Sequence, residues 1–217
     1  MATRQRLLDC TEALLTSTPY RDITVTDIAR AANTSPATFY QYFLDIESAV
    51  IALAEVTGAD GARLAELLKN RRWRGGEGWQ NAATVVDGFL DFWQSHQHVL
   101  RVVDLLTEEG DERLRAVRVR MLNAVTRQVA EVIVAVRAAS GREGADPMAL
   151  AGALVSMLAH VSAHQNGFEA WDIGVASVRD AMADILYWGI TGPKVPDHPR
   201  PAVKARRRRR TAQAGSK

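Results

Sequence analysis

One cysteine, Cys10, occurs in 217 residues, so no internal disulfide can staple the fold. Its helical spacing beside Leu7 and Leu14 makes it a small buried helix residue rather than a reactive thiol. No apolar run approaches the roughly 18 residues that span a bilayer, and the opening MATRQRLLDC lacks a signal-peptide core. With 47% hydrophobic and 24% charged residues, disordered and collagen-like chains are excluded; a reducing cytoplasm, with no membrane partner, is the expected setting. No convincing stretch alternates apolar and polar residues, which argues against a sheet. A P-loop, a dinucleotide fingerprint, a nucleophile elbow and a Cys/His cluster are all missing. The run Gly75-Gly76-Glu77-Gly78 reads as a loop without the Lys-Ser/Thr ending of a phosphate cradle. His160 and His164 share a helical face but have no third ligand, so they read as polar interface or pocket residues, and His96 and His98 form no constellation. No enzyme, cofactor or metal is expected.

What is present is helical periodicity. Apolar residues recur at helix spacing over about 3–17, 24–32, 35–43, 46–70, 79–96, 98–109, 111–139, 147–166 and 174–191, an all-α chain of about nine helices. Gly58 and Gly61 weaken the fourth by roughly 1 kcal/mol each relative to alanine, which predicts a bend. Thr24-Val25-Thr26-Asp27 has the T-x-x-D pattern of a capping-box variant, and Asn33 tolerates the left-handed backbone that a tight helix-ending turn needs. Ser35-Pro36 then supplies an N-cap and a proline at the first helical position. Two short helices joined by a tight turn, residues 24–43, make a helix-turn-helix. In SPATFYQYF, Phe39 and Phe43 lie four apart, on the face that meets Ile28, Ala29, Ala32, Leu7 and Leu14. The opposite arc carries Ala37, Thr38, Tyr40 and Gln41, with Tyr42 at the flank: hydroxyls suited to phosphate and an amide suited to a base edge.

The stretch ITVTDIARAANTSPATFYQYFLDIESAV resembles the N-terminal signature of the TetR family of transcriptional regulators, in register over about residues 6–55. The resemblance implies that Thr24 and Thr26 touch DNA backbone or bases, that Ser35, Thr38 and Tyr42 are phosphate contacts, and that Pro36, Tyr40 and Gln41 face the groove. The family's usual turn glycine is Asn33 here, and its frequent lysine at the start of the fourth helix is Ile46, to which no contact is assigned. The implied organisation is a helix-turn-helix DNA-binding domain over 1–45, a helical ligand-binding and dimerisation domain over 46–192, and a basic disordered tail over 193–217.

Charge is scarce where DNA binding needs it. Residues 1–45 hold Arg4, Arg6, Arg21 and Arg30 against Asp9, Glu12, Asp22, Asp27 and Asp45, whereas nucleic-acid-binding domains are normally basic. The tail carries nine basic residues, including the run Arg206–Arg210, against Asp197 alone. It is either the missing source of nonspecific attraction or a solvated terminus.

Beyond residue 79, Phe89, Phe92, Trp93, Leu100, Val103, Met121, Leu122 and Val125 lie at core-facing spacings; the family resemblance implies a small-molecule pocket there, and aromatic walls suit an apolar or aromatic effector. Leu150, Leu154, Leu158 and Val161, with Val178, Met182, Ile185 and Trp188, form apolar stripes on the last two helices, where the family pairs two copies as a four-helix bundle. The expected function is a ligand-responsive regulator, most simply a repressor, binding palindromic double-stranded operator DNA as a homodimer. Activation in place of repression is open at this stage. A hydrophobic-ligand-binding or catalytic helical bundle with a vestigial helix-turn-helix is the alternative.

Overall fold

The computed structural model describes residues 2–192, and the tail reading for 193–217 lies outside them. Eight α-helices follow one another: α1 (Ala2–Ser17), α2 (Val25–Ala31), α3 (Pro36–Tyr40), α4 (Ile46–Ala62), α5 (Gly75–Glu108), α6 (Glu112–Ser140), α7 (Pro147–His164) and α8 (Val175–Thr191). Three 3-10 turns, Tyr20–Asp22, Arg63–Leu68 and Gln165–Trp171, connect some of them. No strand occurs among the described residues.

The helix boundaries follow local chemistry. Thr24 and Asp27 form the reciprocal capping box at the start of α2. Asn33 takes the left-handed conformation, φ 52°, and turns the chain between α2 and α3. Side chains of Asp45, Asp111 and Asp146 accept from backbone N–H groups in the first turns of α4, α6 and α7. Gly141 ends α6 in the left-handed conformation at φ 63°.

Three expectations change. Residues 79–96 and 98–109 belong to one 34-residue helix, α5, because neither proline nor glycine interrupts the chain near Gln97. Gly75 to Gly78 form its first turn rather than a free loop. The bend expected in α4 is a tightening: the helix passes Gly58, then continues as the 3-10 turn from Arg63. Gly61 lets α4 lie close to its neighbours, since a Cβ there would meet Met121 Cγ at 3.1 Å and Phe92 Cζ at 3.3 Å.

Two large apolar clusters hold the molecule together. One joins α5, α6, α7 and α8 through residues such as Phe89, Val129, Ile133, Leu158 and Leu186. The other binds α1, α2 and α3 to α4 and reaches into the adjacent ends of α5 and α6 through Val99, Val102, Val103, Leu106, Leu114 and Val117. Phe39 and Leu7 therefore share one core with Val103. The reading end of the chain rests on the same two helices that continue into the larger bundle.

Candidate nucleic-acid interface and ligand cavity

In α3, Ser35 Oγ accepts from Thr38 N at 3.2 Å and lies 3.0 Å from Thr38 Oγ1. That mutual bond uses one of two hydroxyl protons, so the pair keeps one for a phosphate oxygen. Phe39 and Phe43 are 0% and 4% exposed, with ring centroids 5.5 Å apart, and they anchor the helix. Pro36, Tyr40, Gln41 and Tyr42 are exposed together, and Thr38 is half-buried beside them.

Thr24 and Thr26 are both exposed at the start of α2. The Thr24 hydroxyl donates to Asp27 Oδ2 at 2.5 Å, so its proton is committed to the cap and the oxygen is left as an acceptor. These hydrogen bonds from Thr24 hold the Asp27 carboxyl below its ordinary range. Thr26 has no such commitment among the described residues and is the better phosphate donor of the two.

Sequence reasoning passed over Arg4. Its guanidinium lies 5.3 Å from the Phe43 ring centroid, which brings a cation from α1 to the edge of α3. The two are 39 positions apart and no spacing rule relates them. Leu44, beside it, is 79% exposed.

Polar contacts fasten this unit to the α5–α6 turn. Arg21 pairs with Glu109, and Arg113 lies 3.7 Å from Asp45, the residue that caps α4. The Tyr20 hydroxyl donates to Glu47 Oε1 at 2.6 Å; burial, then that bond, push its pKa up.

Seven of the eight residues proposed for a pocket, Phe89, Phe92, Trp93, Leu100, Val103, Met121 and Leu122, surround one small cavity. Val125 does not: it is fully buried in the main core. The cavity measures about 20 Å³, room for about one water. Asp104, Arg118 and Ala159 complete its wall, and Arg118 Nε donates to Asp104 Oδ1 at 2.8 Å across α5 and α6. The indole N–H of Trp93 is buried and has no hydrogen-bond partner among the described residues. A wider, open hollow of about 1110 Å³ lies at the far end, between the start of α5 and the ends of α6 and α8.

The stripes assigned to a dimer contact divide. Leu154, Leu158, Val178 and Met182 fill the chain's own core and are closed to a partner, while Leu150 and Val161 are half-buried against it. Outward instead are Ala149, Ala153, Ser156 and His160 on α7, and Ala181, Ile185 and Trp188 on α8. Ile185 and Trp188 are 45% and 56% exposed. Contrary to the expectation that no apolar run reaches bilayer length, Pro147–Trp171 is long and apolar enough to cross one by length and composition, with a mean hydropathy of 1.3 over its best window, 33% of it buried. His160 and His164 stack with ring centroids 4.3 Å apart, and no metal-binding group of three His, Cys, Asp or Glu occurs among the described residues.

Comparison with known proteins agrees with this architecture at both ends. Residues 7–53 match the model of bacterial regulatory proteins of the tetR family, and residues 64–197 match the tetracyclin repressor-like C-terminal domain. Among solved structures, the fatty acid degradation regulator FadR from Bacillus halodurans is 14% identical with a TM-score of 0.64, over 88% of this chain and 97% of that one. FadR from Bacillus subtilis, in complex with stearoyl-CoA, is 16% identical with a TM-score of 0.65, over 86% and 98%. A tetR-family transcriptional regulator from Streptomyces coelicolor is 17% identical with a TM-score of 0.62, over 85% and 78%. With family models matched over both its helix-turn-helix and its larger helical bundle, the chain belongs to the tetR family and is a DNA-binding transcriptional regulator.

Proposed function

We propose that the chain is a homodimeric repressor that binds a palindromic operator and is released by a small apolar or aromatic effector. The observation that carries this reading is the double role of Val103, which lines the α5–α6 cavity and belongs to the core holding α3. A drug-sized ligand needs roughly 300–1,000 Å³. The present cavity of about 20 Å³ would have to open, and α5 and α6 would separate. The helix-turn-helix rests on those helices, so an opened cavity displaces it relative to its two-fold mate. The ligand then binds the DNA-incompetent state better, and effector and operator weaken each other reciprocally. The stearoyl-CoA complex of the similar Bacillus subtilis fold supports an apolar effector.

In this reading the groove receives Pro36, Tyr40 and Gln41, while phosphates meet Ser35, Thr38, Tyr42, Thr24 and Thr26, with Arg4 added at the edge. The unit over 1–45 reads DNA, and 46–192 binds ligand and partner. The dimer forms through the outward faces of α7 and α8, whose small residues Ala149, Ala153 and Ser156 permit close helix approach. Footprinting on the DNA upstream of the chain's own gene tests the proposal. A two-fold-symmetric protected site, lost on adding an effector that raises the melting temperature, is the expected result; no symmetric protection at moderate salt would refute it.

A further inference from the structure

The cavity walls are apolar except at one place, where Asp104 of α5 meets Arg118 of α6. Asp104 engages only Nε of the guanidinium, at 2.8 Å. The two terminal nitrogens of Arg118 have no hydrogen-bond partner among the described residues, and the side chain is 40% exposed against 28% for Asp104. A carboxylate that fixes an arginine by Nε leaves its Nη edge as a preset, two-pronged donor. Buried nearby is the unpartnered indole N–H of Trp93, whose side chain lines the same cavity and is 9% exposed. A buried donor without an acceptor is costly, and a ligand acceptor would relieve it.

Resting on the proposed effector role of this cavity, we infer that the effector is an amphipathic acid: an apolar body enclosed by Phe89, Phe92 and Met121, with a carboxylate or similar anion clamped by the Nη edge of Arg118. Asp104 does not forbid this. Coulomb energy falls inversely with distance, so attraction to the guanidinium across about 3 Å outweighs repulsion from Asp104 across about 6 Å roughly twofold. A ligand amine would instead compete with Arg118 for a carboxylate that is already paired. A neutral ligand would leave the Nη edge unused.

Three probes of equal chain length, decanoate, decanol and decylamine, separate these cases when titrated into the full-length protein by calorimetry, with melting temperature and operator release as further readouts. Decanoate should bind about tenfold or more tighter than decanol, raise the melting temperature most and release the operator. Arg118→Gln should abolish the preference for decanoate while keeping the decanol response, and Arg118→Lys, which retains charge without the fork, should fall between. The three-probe comparison on the unaltered protein needs no variant, so it stands even if Arg118→Gln folds poorly. Equal affinity for decanoate and decanol, a preference for decylamine, or an unchanged preference in Arg118→Gln overturns the inference while leaving the cavity an effector site. If none of the three alters melting temperature or operator binding, the effector reading of the cavity falls and this inference with it.

Discussion

Tyr40 and Phe39 are neighbours in sequence with opposite environments, 58% and 0% exposed, and substitution should separate them. Tyr40→Ala and Gln41→Ala remove only exposed groups. Each should weaken operator binding by about 5- to 160-fold, from roughly 1–3 kcal/mol per base contact, with no change in melting temperature. Phe39→Ala should cost about 3–5 kcal/mol of stability, read from the urea midpoint. A second residue-scale test concerns acid. Hydrogen bonds from the Arg113 guanidinium, with lesser help from the backbone N–H groups of Leu114 and Arg113, hold the Asp111 carboxyl at about 2, below its ordinary 3.8. Because the folded value is the lower one, its stabilisation of α6 is complete above about pH 4 and is lost as pH falls towards 2. Asp111→Asn should therefore remove part of the acid sensitivity between those values, measured by melting at stepped pH. Residue roles such as these were legible where chemistry is local: the Thr24 cap, the left-handed Asn33 and the Phe39/Phe43 pair each follow from a few consecutive positions. Arg4 was not, because its approach to Phe43 depends on how α1 packs in the three-dimensional fold.

At the scale of elements, period was readable and phase was not. The α7 region is apolar nearly all round, with a mean hydropathy of 1.3 over its best window, so the stripe Leu150, Leu154, Leu158, Val161 is no more conspicuous than its outward neighbours. The structure turns Leu154 and Leu158 inward against α5 and α6 and leaves Ala149, Ala153, Ser156 and His160 outward. On α8 the same ambiguity holds: Val178 and Met182 are buried in the protomer's own core, while Ile185 and Trp188 face solvent. Helix starts were legible where a side chain caps them, as at Thr24, Ser35 and Asp146, whereas the uncapped start of α5 at Gly75 was not, nor was its continuity, since the histidines flanking Gln97 imitate a break in an apolar pattern. The corrected phase makes a sharp prediction. Ile185→Glu with Trp188→Glu should yield monomers by sedimentation velocity with unchanged helical content, because both side chains are solvent-facing within the protomer. Leu158→Ala should instead cost about 2–5 kcal/mol in folding, since it empties core volume. Monomers from the first variant that also lose helical structure would show that these residues support the protomer rather than the pairing.

For the whole molecule the tension is between charge and function. Among residues 1–45 four arginines face five acids, yet family membership makes this unit a DNA binder. Structure subtracts from that small supply: Arg21 is paired with Glu109 and Arg30 with Asp27. Arg4 sits at the α3 edge and Arg6 is exposed on α1, but two cations per protomer are few against the several phosphates that a specific complex neutralises. The largest positive charge lies elsewhere in the chain, at Lys204, Arg206–Arg210 and Lys217. If those residues supply the sequence-independent part of binding, removing residues 201–217 should lower operator affinity at low salt and flatten its salt dependence. The logarithmic slope changes by about 0.9 for each phosphate no longer neutralised, so engagement of the five-arginine run alone would shallow it by about 4.5 per protomer. Fluorescence anisotropy on one operator fragment across a salt series, with intact and shortened chains side by side, provides the slopes. The footprint itself should keep its position, because Tyr40 and Gln41 are untouched. Parallel slopes would return the burden to hydrogen bonding at α2 and α3 and to Arg4, and Arg4→Ala would then become the variant with the largest electrostatic loss.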